Sequence, residues 1–423
     1  MRHVNRTTLA TLFGVGTALV ALGMVAACQA IDGVHVYSYD NPEASVIVID
    51  GGVVVQDGGV KYTGFGDAQC ALATPPSPPD PASVTSTAET EYVVAFSALS
   101  FTGNATSVIG YDLDGVCTGE PTEGGTGPSS CVSADGSTAP FDTMSEAGDG
   151  VDSVLSSGSG GLQAFFNGTD LDKLSNVESD IEAGTETGFF VIDGYNFTAN
   201  DPQVTVSFGT AEPLQSTGCG DAEVKALPDG SLLDGGMLSP GFDGCDTWTV
   251  DEDSLVLFQP DGGGKLYRSI STSAYVSNGY LVARFRGSIT FPIGDITLTP
   301  SYPLVVAKLN LATTDAGQQS ISVTNGLIQG RLSATSFLFG LSSIGDPANP
   351  ADKFCPGSPS YPFIHTAVCS HLDINGNGLD GVGAPCDSFT FAATFSGITA
   401  HLGAIVPGGS HPSGCPEADA SCP

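Results

Sequence analysis

Ten cysteines constrain this chain more than any other feature. Cys70, Cys117, Cys131, Cys219, Cys245, Cys355, Cys369, Cys386, Cys415 and Cys422 form an even set once the eleventh, Cys28, is given another role. In an exported chain an even set reads as five disulfides rather than as metal ligands. No C-x-x-C occurs, which argues against a zinc ribbon and against a thioredoxin-like pair. Nearest-neighbour spacing suggests Cys117 with Cys131, Cys219 with Cys245, Cys355 with Cys369 and Cys415 with Cys422, leaving Cys70 for Cys386. Spacing alone does not fix connectivity.

The export assignment rests on the first 28 residues. Arg2 and Arg6 precede an apolar stretch from Leu9 to Val25, broken by Gly14, Gly16 and Gly23, which is the layout of an export leader. That stretch is short and glycine-interrupted for a permanent membrane span. Val25-Ala26-Ala27-Cys28 resembles the lipobox of bacterial lipoproteins. The resemblance implies cleavage after Ala27, with Cys28 becoming the acylated first residue of the mature protein. The other reading is an ordinary signal peptide cut at the same place, with Cys28 entering a disulfide. Acyl chains on one residue suffice as an anchor, each buried methylene contributing about 0.8 kcal/mol. Gln29, where inner-membrane retention favours Asp, points to the outer membrane or cell surface.

Charge narrows the partners. The chain has 46 acidic and 12 basic residues, two of the latter in the leader. Such a surface repels phosphate backbones, so nucleic acid is not an expected partner. The acids are scattered, often as Asp-Gly pairs. Most suit turns, and a subset could hold calcium.

Residues 28–88 read as a tether, with Ser45 to Asp50 and Val53 to Gln56 as a small ribbon across Gly51-Gly52. Thr74 to Pro81 forms a Pro-rich spacer. The Asp-Gly-Gly turns at Asp50 and Asp57 do not continue as a calcium-binding nonapeptide repeat. Residues 89–405 read as the main domain, with an optional split near 214–240, and 406–423 as a cysteine-containing tail. The main domain is punctuated by β-like runs: Tyr92–Phe96, Ser107–Leu113, Phe189–Asp193, Val204–Phe208, Trp248–Val250, Leu255–Phe258, Lys265–Ser271, Ala274–Val276, Tyr280–Phe285, Ser288–Phe291, Leu304–Leu311, Ser320–Thr324, Leu327–Leu332 and Phe389–Ala400. Asn278-Gly279 and Asn325-Gly326 each suggest a tight hairpin. In Phe389 to Phe395 the odd positions are apolar, so one face of that strand is core. Helices are expected at Val151–Phe166, Thr169–Ala183, Ser333–Leu341 and Tyr361–Leu372. The fold class is therefore mainly β. The expected architecture is a large antiparallel sandwich, jelly-roll or concanavalin-like, closed by Tyr92–Phe101 lying beside Phe389–Ala400.

Several short segments recur in a recognisable order. They are Gly110-Tyr111-Asp112-Leu113-Asp114-Gly115, Gly150-Val151-Asp152, Gly194-Tyr195-Asn196, Ala274-Tyr275-Val276-Ser277, Gly330-Arg331-Leu332 and Gly381-Val382-Gly383-Ala384-Pro385-Cys386. Together, over residues 92–400, they resemble a group of uncharacterised secreted proteins and lipoproteins of myxobacteria. The resemblance implies a shared β-rich extracellular fold and carries no catalytic residue.

Two acidic sets are candidate calcium sites. One comprises Asp112 and Asp114 with Glu146, Asp149 and Asp152, whose alternative role is Asx turns and helix capping. The other, Asp373-Ile374-Asn375-Gly376-Asn377-Gly378-Leu379-Asp380, opens like a D-x-N-x-N-G calcium loop but has Ala384 where an EF-hand needs Glu. His365, Cys369 and His371 could be drawn as zinc ligands, but a disulfide explains Cys369 better. There is no H-E-x-x-H, G-x-S-x-G or P-loop. The expectation is a lipid-anchored envelope protein with a non-catalytic binding or structural role toward a glycan, matrix or protein ligand. The alternative is a polysaccharide hydrolase on a concanavalin-like sandwich.

Overall fold

A computed structural model describes residues 47–49, 53–55, 74–83, 90–101, 110–115, 131–133, 143–145, 148–151, 176–217, 239–258, 265–293, 296–313, 317–346, 349–378, 380, 383–408, 415 and 422. The chain divides into two compact units, residues 1–61 and 62–423. In the first, Ile47–Ile49 pairs antiparallel with Val53–Val55, so the expected ribbon forms across Gly51-Gly52.

The second unit is built on eight antiparallel strands: β1 (Thr90–Ser100), β2 (Thr187–Tyr195), β3 (Asp201–Ala211), β4 (Ser269–Ser277), β5 (Tyr280–Arg284), β6 (Ser301–Thr313), β7 (Gln319–Ser333) and β8 (Ser388–Thr399). Each strand pairs with the next in the chain, and β8 returns to β1 from Thr394↔Ser100 to Thr399↔Val94. The expected adjacency of the first and last strands is present, but it closes a barrel and not a sandwich. The physical reason is that every intervening strand also pairs with its chain neighbour, so no edge remains to separate two sheets. Sandwich and barrel both bury one face of each strand, and their alternation of apolar residues is the same. Strands from both sides of residues 214–240 belong to this one barrel.

Alternation sorts the side chains. Tyr92, Val94 and Phe96 of β1, Phe190 and Ile192 of β2, and Phe391, Ala393 and Phe395 of β8 belong to the interior cluster. Phe96 lies 4.8 Å from Phe395 and 5.3 Å from Phe190, ring centre to ring centre, and Phe208 packs 4.7 Å from Phe291. The lumen is thus filled by stacked and tilted rings, each fully buried phenylalanine contributing about 1.5–3 kcal/mol. Outward positions carry Lys308, Asn310, Ser322 and Thr324. Outward apolar residues such as Val282, Leu304 and Val306 are covered by other parts of the chain, and an interior filled with apolar side chains is the reverse of the polar lumen of a barrel that faces lipid. No helix among the described residues is long and apolar enough to cross a membrane.

β7 corrects one expectation. Asn325-Gly326 is not a hairpin; it lies inside a single strand of 15 residues. Ile321 and Val323 face inward at odd positions, whereas Ile328 and Leu332 do so at even ones. A bulge between Val323 and Gly326 absorbs that one-residue change, with Asn325 at φ 54. Gly326 is required there because a Cβ would sit 2.5 Å from the Phe395 ring. Asn278-Gly279, with φ 52 and 78, does turn a hairpin, joining Ser277 to Tyr280.

Outside the barrel, Leu214–Ser216, Thr247–Asp251 and His401–Val406 form a three-stranded sheet, the last two strands parallel. Trp248, Val250 and Leu214 cover the outward face of β1 and β2 at Val93, Ala95, Phe189 and Val191. Three short helices are described: α1 (Val177–Ala183), α2 (Ala334–Leu341) and α3 (Tyr361–Ser370). α1 starts later than expected, after left-handed Asn176, and ends at Gly184 as expected. Ser333 caps α2 by accepting the Ser336 amide at 3.1 Å. Of the helix expected at 151–166, only Val151 is described, and it ends a strand. Gly110–Leu113, expected in a strand, is a loop laid over the barrel, where Tyr111 and Leu113 pack on Val282, Leu304 and Val306.

The disulfides overturn spacing. Cys131 bonds Cys386, Cys355 bonds Cys415 and Cys369 bonds Cys422, in place of the expected Cys117–Cys131, Cys70–Cys386, Cys355–Cys369 and Cys415–Cys422. The cause is topological. Val132 bridges Pro385, which brings two segments 255 residues apart within bonding reach, and the tail returns to the α3 region. Cys245 is also disulfide-bonded. Cys28, Cys70, Cys117 and Cys219 lie outside the described residues. Multiple disulfides indicate an extracytoplasmic protein.

Candidate functional site

An accessible recess lies where β8 leaves the barrel. At Ala400 the chain crosses from β8 to the outer sheet: its amide donates to Val93 O at 3.0 Å, and the next amide, of His401, donates to Asp246 O at 2.8 Å. The divergence opens a groove of about 680 Å³ between the start of β1, the strand Lys265–Tyr267, Gln319 and Thr399–Leu402. Its volume falls in the range of small-ligand sites.

Part of the wall is fixed. Tyr92 donates from its hydroxyl to Gln319 Oε1, and its ring lies 5.4 Å from Phe197, stacked. Thr399 accepts the Ile321 amide at 2.6 Å and donates to Ile321 O at 3.1 Å. The remaining chemistry is Glu91, Lys265, Tyr267 and the exposed His401. Burial lowers the Lys265 ammonium from its ordinary value, with Glu91 partly offsetting that. Burial raises the Tyr267 phenol, and Glu91 adds to the rise, so the phenol remains a hydrogen-bond donor at neutral pH. Glu91 is the single carboxylate among the described lining residues. Two-carboxylate glycoside hydrolysis needs a second acid roughly 5–9.5 Å away. The groove offers hydrogen-bond donors, acceptors and phenol surface.

No protein-family model, curated protein or solved structure matches this chain. Residue roles therefore rest on the chemistry of the residues themselves.

The two candidate calcium segments meet elsewhere, and a side chain joins them. Arg331, outward on β7, forms two bonds to the Asp380 carboxylate at 2.7 and 2.5 Å, one to Asn375 O at 2.6 Å and one to Leu113 O at 3.0 Å. Arg331 and Asp380 side chains are only 6% and 7% exposed. Two residues earlier, Gln329 accepts the Tyr111 amide at 2.6 Å and donates to Tyr111 O at 2.7 Å. Arg331 thus joins the loop at Leu113 to the loop at Asn375 and Asp380. The other oxygens have protein partners too. Asp373 accepts from the Thr390 amide and hydroxyl at 2.9 and 2.8 Å, Asn375 Oδ1 accepts the Asn377 amide at 3.1 Å, and Asp112 accepts the Gly115 amide at 2.6 Å. Among the described residues no group of three or more His, Cys, Asp or Glu is placed to hold a metal. Glu146 and Asp152 lie outside the described residues, and Asp149 falls on the strand Gly148–Val151. Cys369, held by Cys422, lies 3.9 Å from the His365 ring.

Sequence reading missed Arg331, Gln329 and Lys265. The signal available was rarity: of the ten basic residues beyond the leader, Lys265, Arg268, Arg284 and Arg286 crowd into 22 positions, and Arg331 stands alone in an apolar strand.

Proposed function

We propose that this chain is a lipid-anchored protein of the cell envelope, at the outer membrane or cell surface, whose barrel binds an extracellular ligand without catalysis. The favoured ligand is a glycan held in the groove between β1 and the outer sheet. The observation that carries the reading is the filled lumen: with Phe96, Phe190, Phe208 and Phe395 occupying the interior, recognition falls to the outer surface. Lys265, Glu91, Gln319 and the Tyr267 phenol supply the mixture of donors and acceptors that sugar hydroxyls require. The Val25-Ala26-Ala27-Cys28 run supports the anchor. The segment that follows it leads to Pro76, whose carbonyl accepts the Tyr275 hydroxyl of β4 at 2.6 Å, so the Pro-rich stretch is seated on the barrel.

Two measurements test the proposal. Cys28→Ala should move the protein from the membrane fraction to the soluble one with its fold intact, and retention at the membrane rejects the anchor. On a glycan array the ectodomain should bind, and Lys265→Met should reduce that binding without altering the circular dichroism. Hydrolysis of an arrayed polysaccharide would replace binding with an enzymatic role.

A further inference from the structure

Arg268, next in sequence to the groove's Tyr267, lines a second cleft. β3, the turn Glu252–Ser254, the start of β4 and the loop after β5 enclose about 360 Å³ there. Its floor is polar and already ordered. Thr210 donates from Oγ1 to one oxygen of the buried Asp251 at 3.0 Å and from its amide to Ser254 Oγ at 2.8 Å. The other Asp251 oxygen accepts the Asp253 amide at 2.8 Å. At the rim, Arg268, Arg286, Asp253 and Ser288 are exposed, and Arg268 is steadied by its Nε donating to Asp253 O at 2.7 Å.

Among the described residues the lining sets two arginines against two aspartates, Asp251 and Asp253. Two of the chain's ten basic residues beyond the leader line one small cleft, and both are arginines. Planar guanidinium groups match carboxylate and sulfate through paired hydrogen bonds, which an ammonium does not. The remaining lining offers hydroxyls and carboxylate oxygens. An inorganic oxyanion has no use for those acceptors, whereas the hydroxyls of a sugar ring do.

We propose that this cleft binds an acidic saccharide. Arg268 and Arg286 take the carboxylate or sulfate of the sugar, while Asp253, Ser254 and Ser288 take ring hydroxyls. The site is separate from the groove, and it stands or falls without it.

Calorimetric titration of the purified full-length chain with oligogalacturonate, with sulfated dextran oligosaccharide and with neutral dextran tests it. At least one anionic oligosaccharide should bind and the neutral one should not; the two anionic arms tell carboxylate from sulfate. Arg268→Gln with Arg286→Gln should weaken binding at least about tenfold, by the loss of charge-assisted hydrogen bonds. Because Arg268 also holds Asp253, Arg286→Gln alone serves as the variant that leaves that contact intact, and it should weaken binding in the same direction. Absence of binding to both anionic saccharides, unchanged affinity in Arg286→Gln, or equal binding of polyglutamate overturns the proposal.

Discussion

The inside and the outside of β7 are held by different physics. Inward, Ile321, Val323, Ile328 and Leu332 join the aromatic core, and their contribution is apolar area removed from water. Outward, Gln329 and Arg331 hold loops 110–115 and 373–380 through directional polar bonds, and Cys131–Cys386 secures neighbouring chain. An apolar interior tolerates exchange of one hydrophobe for another of similar volume. A polar clamp tolerates no loss of a single partner, because the survivor is left buried and unsatisfied.

Phe96→Ala is the most severe way to challenge the interior. It removes a ring packed among Phe190, Phe208 and Phe395, and it leaves a cavity that the closed barrel collapses around poorly. The expected loss is about 3–5 kcal/mol, read as a lowered denaturation midpoint with the disulfides intact. A loss under about 1 kcal/mol would mean the lumen is loosely packed, far below what such truncations cost.

The outer clamp should respond in another way. Arg331→Met strands the buried Asp380 carboxylate and should cost roughly 3 kcal/mol, the low end for breaking a buried pair. Adding Asp380→Leu should restore much of that, which no second truncation in the core could do. Purely additive losses in the double-mutant cycle would show that the two charges are not coupled. Phe96→Ala combined with Arg331→Met should, by contrast, add.

Two identical dipeptides show how far sequence reaches. Asn278-Gly279 and Asn325-Gly326 carry the same local preference for positive φ, and both asparagines adopt it. Only the first turns the chain. The second is overruled by its flanks, both of which pair with β6 and β8, and the parity change between Val323 and Ile328 was the visible sign. The inward face of β8 at Phe389, Phe391, Ala393 and Phe395 was equally legible, because alternation is a local property. Closure of the sheet and the pairing of Cys131 with Cys386 were not, since they depend on contacts between distant segments. The D-x-N-x-N-G loop lies between these extremes. Its oxygens are legible in the sequence, but composition does not show that Asp380 and the Asn375 carbonyl receive Arg331 from another strand. The groove at Lys265 was invisible for a related reason: it exists only because β8 diverges at Ala400.

A finer test compares two buried phenols, Tyr195 in the interior cluster and Tyr267 beneath the outer sheet. Burial is the leading cause that raises both above the ordinary value of 10.0. In the folded chain they therefore keep their protons as pH climbs past 10, while the unfolded chain gives them up. The native state binds more protons in that window, so the stability they contribute is complete below about pH 10 and falls above it, by about 1.4 kcal/mol per pH unit for each phenol. Tyr195→Phe and Tyr267→Phe should each flatten the alkaline limb of the stability curve by about one proton. Tyr195→Phe should in addition cost about 1 kcal/mol at neutral pH, because its hydroxyl donates to Thr198 O at 2.6 Å. Denaturation midpoints measured between neutral pH and strong alkali, alongside tyrosinate absorbance, give both quantities. If Tyr267→Phe leaves the slope unchanged while Tyr195→Phe flattens it, the outer sheet admits water at its base, and the dry region of the molecule ends at the barrel wall.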